Sequence, residues 1–276
     1  MKKKELRFYI PLLVVLLAVA GVCLAVSSIA DDTQPPVITV STQTLSVSVN
    51  DPQSALLQGV TAEDKVDGDV TDLILVEKIS DFTDAYTATV TYAAFDRSGN
   101  VAKATRTICY TDYTSPAFSL LTPLVFQAGS NADVLSRIVV TDVIDGDISR
   151  NLKATLTGTS TTLSTAGTHQ VAFRVTNSMG DTVRMTLPVD ILPLNTYQGS
   201  IQLTHNLVYI AKGSSFKASS YFRSLTLGSD TVTTADGVQL QTDSDVNTAV
   251  PGVYSVAYTA RYNNRQAFTR LIVIVE

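Results

Sequence analysis

Val90-Thr91-Tyr92-Ala93-Ala94 returns as Val171-Ala172-Phe173-Arg174-Val175 and again as Val256-Ala257-Tyr258-Thr259-Ala260. Each copy alternates, so Val90, Tyr92 and Ala94 share one face of an extended chain, with Thr91 and Ala93 on the other. Such a run predicts a strand with one face on a core and one toward water. In the first two copies a turn follows, Asp96-Arg97-Ser98-Gly99-Asn100 and Asn177-Ser178-Met179-Gly180-Asp181. A last strand comes next, and in the second copy Val183, Met185, Leu187, Val189 and Ile191 alternate along it. Recurrence at roughly 80 residues predicts tandem domains rather than a solenoid, each with six or seven short strands.

Outward from these strands the text repeats again. Ala62-Glu63-Asp64-Lys65-Val66-Asp67-Gly68-Asp69-Val70-Thr71 matches Val140-Thr141-Asp142-Val143-Ile144-Asp145-Gly146-Asp147-Ile148-Ser149. Turn punctuation separates the units: Pro35-Pro36, then Thr114-Ser115-Pro116, then Leu192-Pro193 through Gly199-Ser200. Abundant Thr, Ser and Val suit a pleated surface. The expectation is an all-β chain of three tandem antiparallel β-sandwiches, spanning residues 31–113, 114–194 and 195–276.

The first two units resemble the bacterial immunoglobulin-like repeats of Gram-positive surface proteins, a type also found in an insecticidal crystal protein. Those repeats read P-P-x-I, A-x-D-x-x-D-G-D and Y-x-A-x-D-x-x-G-N. The first unit matches at Pro35-Pro36-Val37-Ile38, from Ala62 to Asp69, and from Tyr92 to Asn100. The second keeps Asp142, Asp145-Gly146-Asp147 and Gly167, with Phe173 and Asn177 where Tyr and Asp are usual. The third retains Pro251-Gly252-Val253-Tyr254 and the Val256/Tyr258 strand, without D-G-D, so it is a divergent copy. The resemblance implies immunoglobulin-like sandwiches and a surface module, and implies almost nothing about chemistry.

From Phe8 to Ala30 no residue is charged. A helix of that length reaches roughly 34 Å, enough to cross a hydrocarbon core. Lys2, Lys3, Lys4 and Arg7 precede it and Asp31-Asp32 follow, which predicts a cytoplasmic start at 1–7, a transmembrane signal-anchor at 8–30, and an extracellular remainder. Pro11 sits near the start of the run, where a helix tolerates it. A cleaved signal peptide ending at Ser28-Ile29-Ala30 is the rival, but signal cores run only about 7–15 apolar residues. A lipid-modified Cys23 is disfavoured by Val22 before it. The C-terminus at Val275-Glu276 carries no wall-sorting signal, so the N-terminal helix is the expected anchor.

The chain of 276 residues is 45% hydrophobic and 16% charged, with a net charge of -5. That is too apolar for disorder. The acidic excess concentrates in 31–113 and disfavours nucleic acid or an anionic membrane surface as partner. Of two cysteines, Cys23 and Cys109, one lies in the apolar run, so no intrachain disulfide is expected, which points to a bacterial surface.

Catalytic signals are missing from the sequence, and no cofactor is expected. His169 reads as a half-buried strand residue, and neither it nor His205 has a metal-ligand or triad spacing around it. Cys109, on the outward phase of a last strand like Asp190, lacks a histidine partner. Ala211-Lys212-Gly213-Ser214-Ser215 reads as a turn. Tyr221-Phe222-Arg223 and Arg261-Tyr262-Asn263-Asn264-Arg265 are the two clusters a sugar-binding surface would use, and read more simply as a strand edge and a hairpin turn.

The acidic loops carry more physical content. Asp64, Asp67 and Asp69 share a loop end with Asp96, as Asp142, Asp145 and Asp147 do with Asn177. Carboxylates converging there suit Ca²⁺. The same residues also cap turn amides without any metal, and that is the reading adopted, with no metal ligand assigned. The expected role is a non-enzymatic, membrane-anchored bacterial surface protein that presents tandem domains for binding, adhesion or spacing. A carbohydrate-binding adhesin and an accessory subunit of an envelope enzyme are the alternatives. Its expected partners are the membrane, through the N-terminal helix, and an extracellular protein or glycan.

Overall fold

The computed structural model of the chain describes residues 32–84, 86–157 and 162–276. One order of elements occurs three times. The first repeat runs β1 (Val37–Val40), β2 (Thr44–Val47), the 3-10 turn η1 (Gln53–Leu57), β3 (Val60–Asp64), β4 (Gly68–Asp69), η2 (Thr71–Leu73), β5 (Leu75–Ile79), β6 (Thr87–Phe95) and β7 (Val101–Tyr110). The second runs β8 (Ala117–Leu120), β9 (Val125–Gln127), η3 (Leu135–Arg137), β10 (Ile138–Asp142), β11 (Gly146–Asp147), η4 (Ser149–Asn151), β12 (Lys153–Thr157), β13 (Gly167–Thr176) and β14 (Thr182–Leu192). The third runs β15 (Ser200–Leu203), β16 (Leu207–Ile210), η5 (Ala218–Tyr221), β17 (Phe222–Leu227), β18 (Asp230–Val232), η6 (Thr234–Asp236), β19 (Gln239–Ser244), β20 (Gly252–Tyr262) and β21 (Arg265–Val275).

Pairing repeats with equal fidelity. Each copy has a three-stranded sheet (β1-β3-β4, β8-β10-β11, β15-β17-β18) and a four-stranded sheet (β2-β7-β6-β5, β9-β14-β13-β12, β16-β21-β20-β19). The divergent third unit is therefore the same fold as its neighbours. One feature departs from a purely antiparallel reading. The opening strand of each repeat is broken in two, and its second half crosses to the other sheet. There β9 lies parallel to β14 and β16 parallel to β21. Crossing over lets the opening segment pair with the edge of each sheet, which leaves fewer unpaired backbone groups.

The alternation read from sequence sets the burial. Val90, Tyr92 and Ala94, then Val171, Phe173 and Val175, then Val256, Tyr258 and Ala260, are all buried. The described residues form two compact units, one of residues 32–80 with Thr87–Cys109, the other of Asp81–Tyr86 with Tyr110–Glu276. In the first unit Val60 and Ala62 of β3 are buried, as are the inward residues of β6 and Ile108 of β7.

The second unit holds two apolar clusters. One joins Phe118, Ile138 and Val140 to Val171, Phe173, Leu187 and Val189, the two sheets of one sandwich. The other joins Ile201, Leu225 and Leu227 to Val256, Tyr258 and Leu271. Leu207, Ile272 and Ile274 of the third repeat belong to the second repeat's cluster. Hence β14 is covered on both faces at its end, and Pro188, Asp190 and Leu192 are buried although the alternation points them outward. Asp190 is matched there by Arg270, with Nε 2.6 Å from Oδ2 and Nη2 2.9 Å from Oδ1. Thr168 Oγ1 donates to the same carboxylate at 2.7 Å. A bidentate pair with a further donor is the arrangement that makes a buried charge tolerable.

The run Phe8–Ala30 and Cys23 lie outside the described residues. Among the described residues no helix is long and apolar enough to cross a membrane.

Candidate functional site

The D-x-x-D-G-D stretch is first a staple for the β3–β4 and β10–β11 hairpins. Asp64 Oδ1 accepts from the amides of Val66 and Asp67 at 2.7 and 2.9 Å, and Asp142 Oδ1 from those of Ile144 and Asp145 at 2.8 and 2.9 Å. Gly68 and Gly146 follow with φ of 73° and 71°, the left-handed region that glycine enters without strain. Asp69 accepts from the amide of Thr71, and Asp147 from that of Ser149, both at 2.9 Å. The hydroxyls of Thr71 and Ser149 in turn accept from the amides of Ala62 and Val140. These bonds favour the ionised carboxylates, so hydrogen bonding from Thr71 holds Asp69 below the usual carboxylate range, and bonding from Ser149 does the same for Asp147. Asp67 and Asp145 reach across to the later turn, accepting from the amides of Arg97 at 2.7 Å and Ser178 at 2.6 Å. Turn capping thus accounts for Asp67, Asp69, Asp145 and Asp147.

Asp64 and Asp96 are different. With Asp32, from the segment leading into β1, they place carboxylate oxygens within 4.8 Å of one another. Asp64 and Asp96 are only 3% and 5% exposed. The Asp64 Oδ1 is spent on its turn, while its Oδ2 is buried and meets no donor, and the buried Oδ2 of Asp32 meets none either. Asp32 is positioned by the Gln34 amide on Oδ1, and by Asn100 Nδ2 donating to its carbonyl at 2.9 Å. Asp96 accepts from the Asn100 amide at 2.8 Å and from Asn100 Nδ2 at 2.7 Å. Burial raises the Asp96 carboxyl, but the bonds from Asn100, Ser98 and Gly99 outweigh it and hold the group below its ordinary range, so it is ionised at neutral pH. Among the described residues no lysine or arginine forms an ion pair with any of the three. Two carboxylates about 4 Å apart repel by about 4 kcal/mol at an effective dielectric of 20.

The second repeat builds the same place and resolves it internally. Asn177 stands where Asp96 does, and its Nδ2 donates to Asp142 Oδ2 at 3.0 Å and to the Tyr113 oxygen at 2.8 Å. Tyr113 comes from the segment leading into β8, as Asp32 comes from that into β1. Its hydroxyl donates to Asp181 Oδ2 at 2.8 Å, and its ring packs on Phe82 and Tyr86 with centroids 4.8 Å away. Burial, together with Asp181, pushes the Tyr113 hydroxyl far above its ordinary value, so it stays a donor. The third repeat abolishes the place. Register puts Leu227 of β17 opposite β15 where Asp64 and Asp142 stand. The turn that delivers Asp96 and Asn177 shrinks to Asn263-Asn264 between the paired Tyr262 and Arg265, both asparagines at positive φ, a type I′ hairpin.

Other residues singled out in the sequence fall to structural roles. His169 is half-buried with Nε2 2.8 Å from the Thr165 carbonyl, and His205 is exposed beside the Tyr221 ring. Cys109 is half-buried on β7. Ala211–Ser214 is a turn closed by the Ser214 amide on the Ala211 carbonyl. Tyr221 and Phe222 pack against the third repeat's core, with Tyr221 stacked on Phe216. Arg261, Tyr262 and Arg265 line an open polar cleft of about 960 Å³ with Gln198, Asp236 and Gln239. Sequence reading missed Arg106. It is 1% exposed on the inward phase of β7 and donates to the Leu56 and Gln58 carbonyls and to Tyr92 Oη. Its alternation with Ile108 was the available signal.

No family model matches the chain. An uncharacterized 81.3 kDa protein of Acholeplasma phage L2 is 24% identical over 173 residues, covering 62% of this chain. The match spans 22% of that relative's length. Among solved structures, a CBM51-2 module in complex with GlcNAc and INT domains from Clostridium perfringens ZmpB aligns with a TM-score of 0.23 at 14% identity, over 87% of this chain and 42% of that one. Drosophila N-cadherin EC1-4 aligns at 0.23 and 11% identity, over 90% and 76%. A lipoprotein from Bacteroides thetaiotaomicron aligns at 0.21 and 12% identity, over 86% and 98%. Scores this low carry no function across to this chain.

Proposed function

We propose that the chain is a non-enzymatic bacterial surface protein, held in the membrane by Phe8–Ala30, whose tandem sandwiches serve as a spacer that carries a binding surface away from the cell. The observation that carries this reading is the ninefold element order repeated three times, with the second and third copies joined through a shared apolar cluster. Joining is polar as well as apolar. The Phe118 amide donates to Tyr209 Oη at 2.9 Å, and Asn206 Nδ2 donates to the Leu120 and Leu121 carbonyls. Repeats fixed to one another in this way hold a distance, which is what a spacer requires, and repeated modules reach that end without any site of their own.

An adhesin for carbohydrate needs exposed aromatics in a row. Tyr221 and Phe222 are engaged in the core instead, and Tyr262 is half-buried, so the spacer reading stands ahead of it. The test is protease treatment of intact protoplasts that express the full chain. The expected outcome is loss of everything beyond about residue 31 with a short membrane-embedded N-terminal fragment retained, because the basic residues before the apolar run keep that end inside. A protease-resistant full chain would refute external placement, and a soluble protein beginning at Asp31 would refute the anchor.

A further inference from the structure

We propose that Asp32, Asp64 and Asp96 form a Ca²⁺ site that fastens the segment leading into β1 onto the first sandwich. Three observations carry it. The ligand atoms already converge within 4.8 Å of one another, the span of two oxygens on opposite sides of an ion bound at about 2.4 Å. Asp64 is nearly fully buried with one oxygen lacking any donor, and Asp32 of the same trio also has a buried oxygen that lacks one. The second repeat meets the same need by other means: Asn177 stands in the position that Asp96 holds here, and its Nδ2 donates to Asp142 Oδ2 and to the Tyr113 oxygen. A position that carries an amide donor to the buried aspartate in one copy and a further carboxylate in another calls for a positive group in the second.

The donor set names its class. All three ligands are hard carboxylate oxygens with no imidazole or thiolate among them, which suits Ca²⁺ or Mg²⁺ over zinc or copper. Asp32 and Asp96 come from loops rather than from one rigid element, and Ca²⁺ tolerates irregular coordination where Mg²⁺ demands an octahedron. Orientation is set beforehand by the Asp64 turn and by the Asn100 bonds to Asp96 and Asp32. Asp32 follows the run expected in the membrane, so ion binding orders the chain where the first sandwich begins.

The test uses the purified full chain in detergent, with calcium titrated calorimetrically and thermal unfolding followed in calcium, magnesium and chelator. Calcium binding is expected in the range of about 10⁻⁴–10⁻³ M, with a matching rise in the melting temperature of the first unit and a smaller response to magnesium. Asp64→Asn keeps the Oδ1 acceptor for the turn and removes the ligand charge. It should abolish the calcium response while melting no lower than wild type in chelator. Asp32→Asn should weaken the response, and Asp142→Asn in the second repeat should leave it intact. Identical wild-type melting in calcium and chelator, or a full response retained by both Asp64→Asn and Asp32→Asn, would overturn the site.

Discussion

Arg106 faces Val90 across β6 and β7, as Leu187 faces Val171 and Leu271 faces Val256 in the other repeats. A guanidinium therefore fills a core position that is leucine elsewhere. Its room comes from η1, whose last carbonyls turn inward and need donors; Tyr92 Oη supplies one to Leu56 at 2.6 Å, and Arg106 the rest. Tyr258 repeats the tyrosine part of this device on the Ala218 carbonyl at 2.7 Å. The Tyr of the Y-x-A motif is thus a core residue with a polar duty, and Phe173 shows the copy in which that duty has lapsed. Arg106→Leu should keep the packing but leave the Gln58 carbonyl without its donor, costing about 1–3 kcal/mol. Urea denaturation checks this, and an unchanged midpoint would mean that these carbonyls do not depend on Arg106. Alternation made Tyr92 legible, because apolar residues recur at a period of two around it. Arg106 shares the inward phase of Ile108, but its role was harder to read because a charge reads as surface unless its acceptors, distant in sequence, are known.

The β3–β4 and β10–β11 hairpins show the same division between what is near and what is far. Their motif stands out in the sequence, and capping of Thr71 by Asp69 and of Ser149 by Asp147 follows from spacing alone. What spacing cannot give is that Asp67 meets the Arg97 amide, or that Asp32 joins Asp64 and Asp96, since both depend on how separate loops are brought together. The broken opening strand was equally hidden, because a crossing between sheets leaves each half still reading as a strand.

These caps carry a pH dependence. Asp69 and Asp147 have folded-state pKa values lowered by their hydrogen bonds, so their contribution is fully present above the unfolded value near 4. It is lost as pH falls through the lowered folded value. Stability measured by denaturant between neutral pH and pH 2 should therefore decline below about pH 4. Asp147→Asn, which retains the acceptor and removes the titration, should make that decline shallower. An identical slope in the variant would contradict the assignment.

At the scale of the molecule, the three copies are one design with three treatments of a single place: converging carboxylates, a carboxylate matched by an amide donor, and an apolar plug with a tight hairpin. Copies two and three have gone further and share an apolar junction, with Leu207, Ile272 and Ile274 of the third joining the cluster of the second. That junction was not legible in the sequence, because Asp190 and Arg270 look like ordinary surface charges until β14 is seen covered on both sides. The consequence is cooperative. Arg270→Met leaves Asp190 buried without its partner, a loss of about 3–5 kcal/mol, and it falls on the junction between the two copies.

Differential scanning calorimetry of the full chain tests this most directly. Two transitions are predicted, one for the first repeat and one, larger in enthalpy, for the second and third together, with Arg270→Met lowering or splitting the larger one alone. Three separate transitions in the wild-type protein, one for each repeat, would contradict the account.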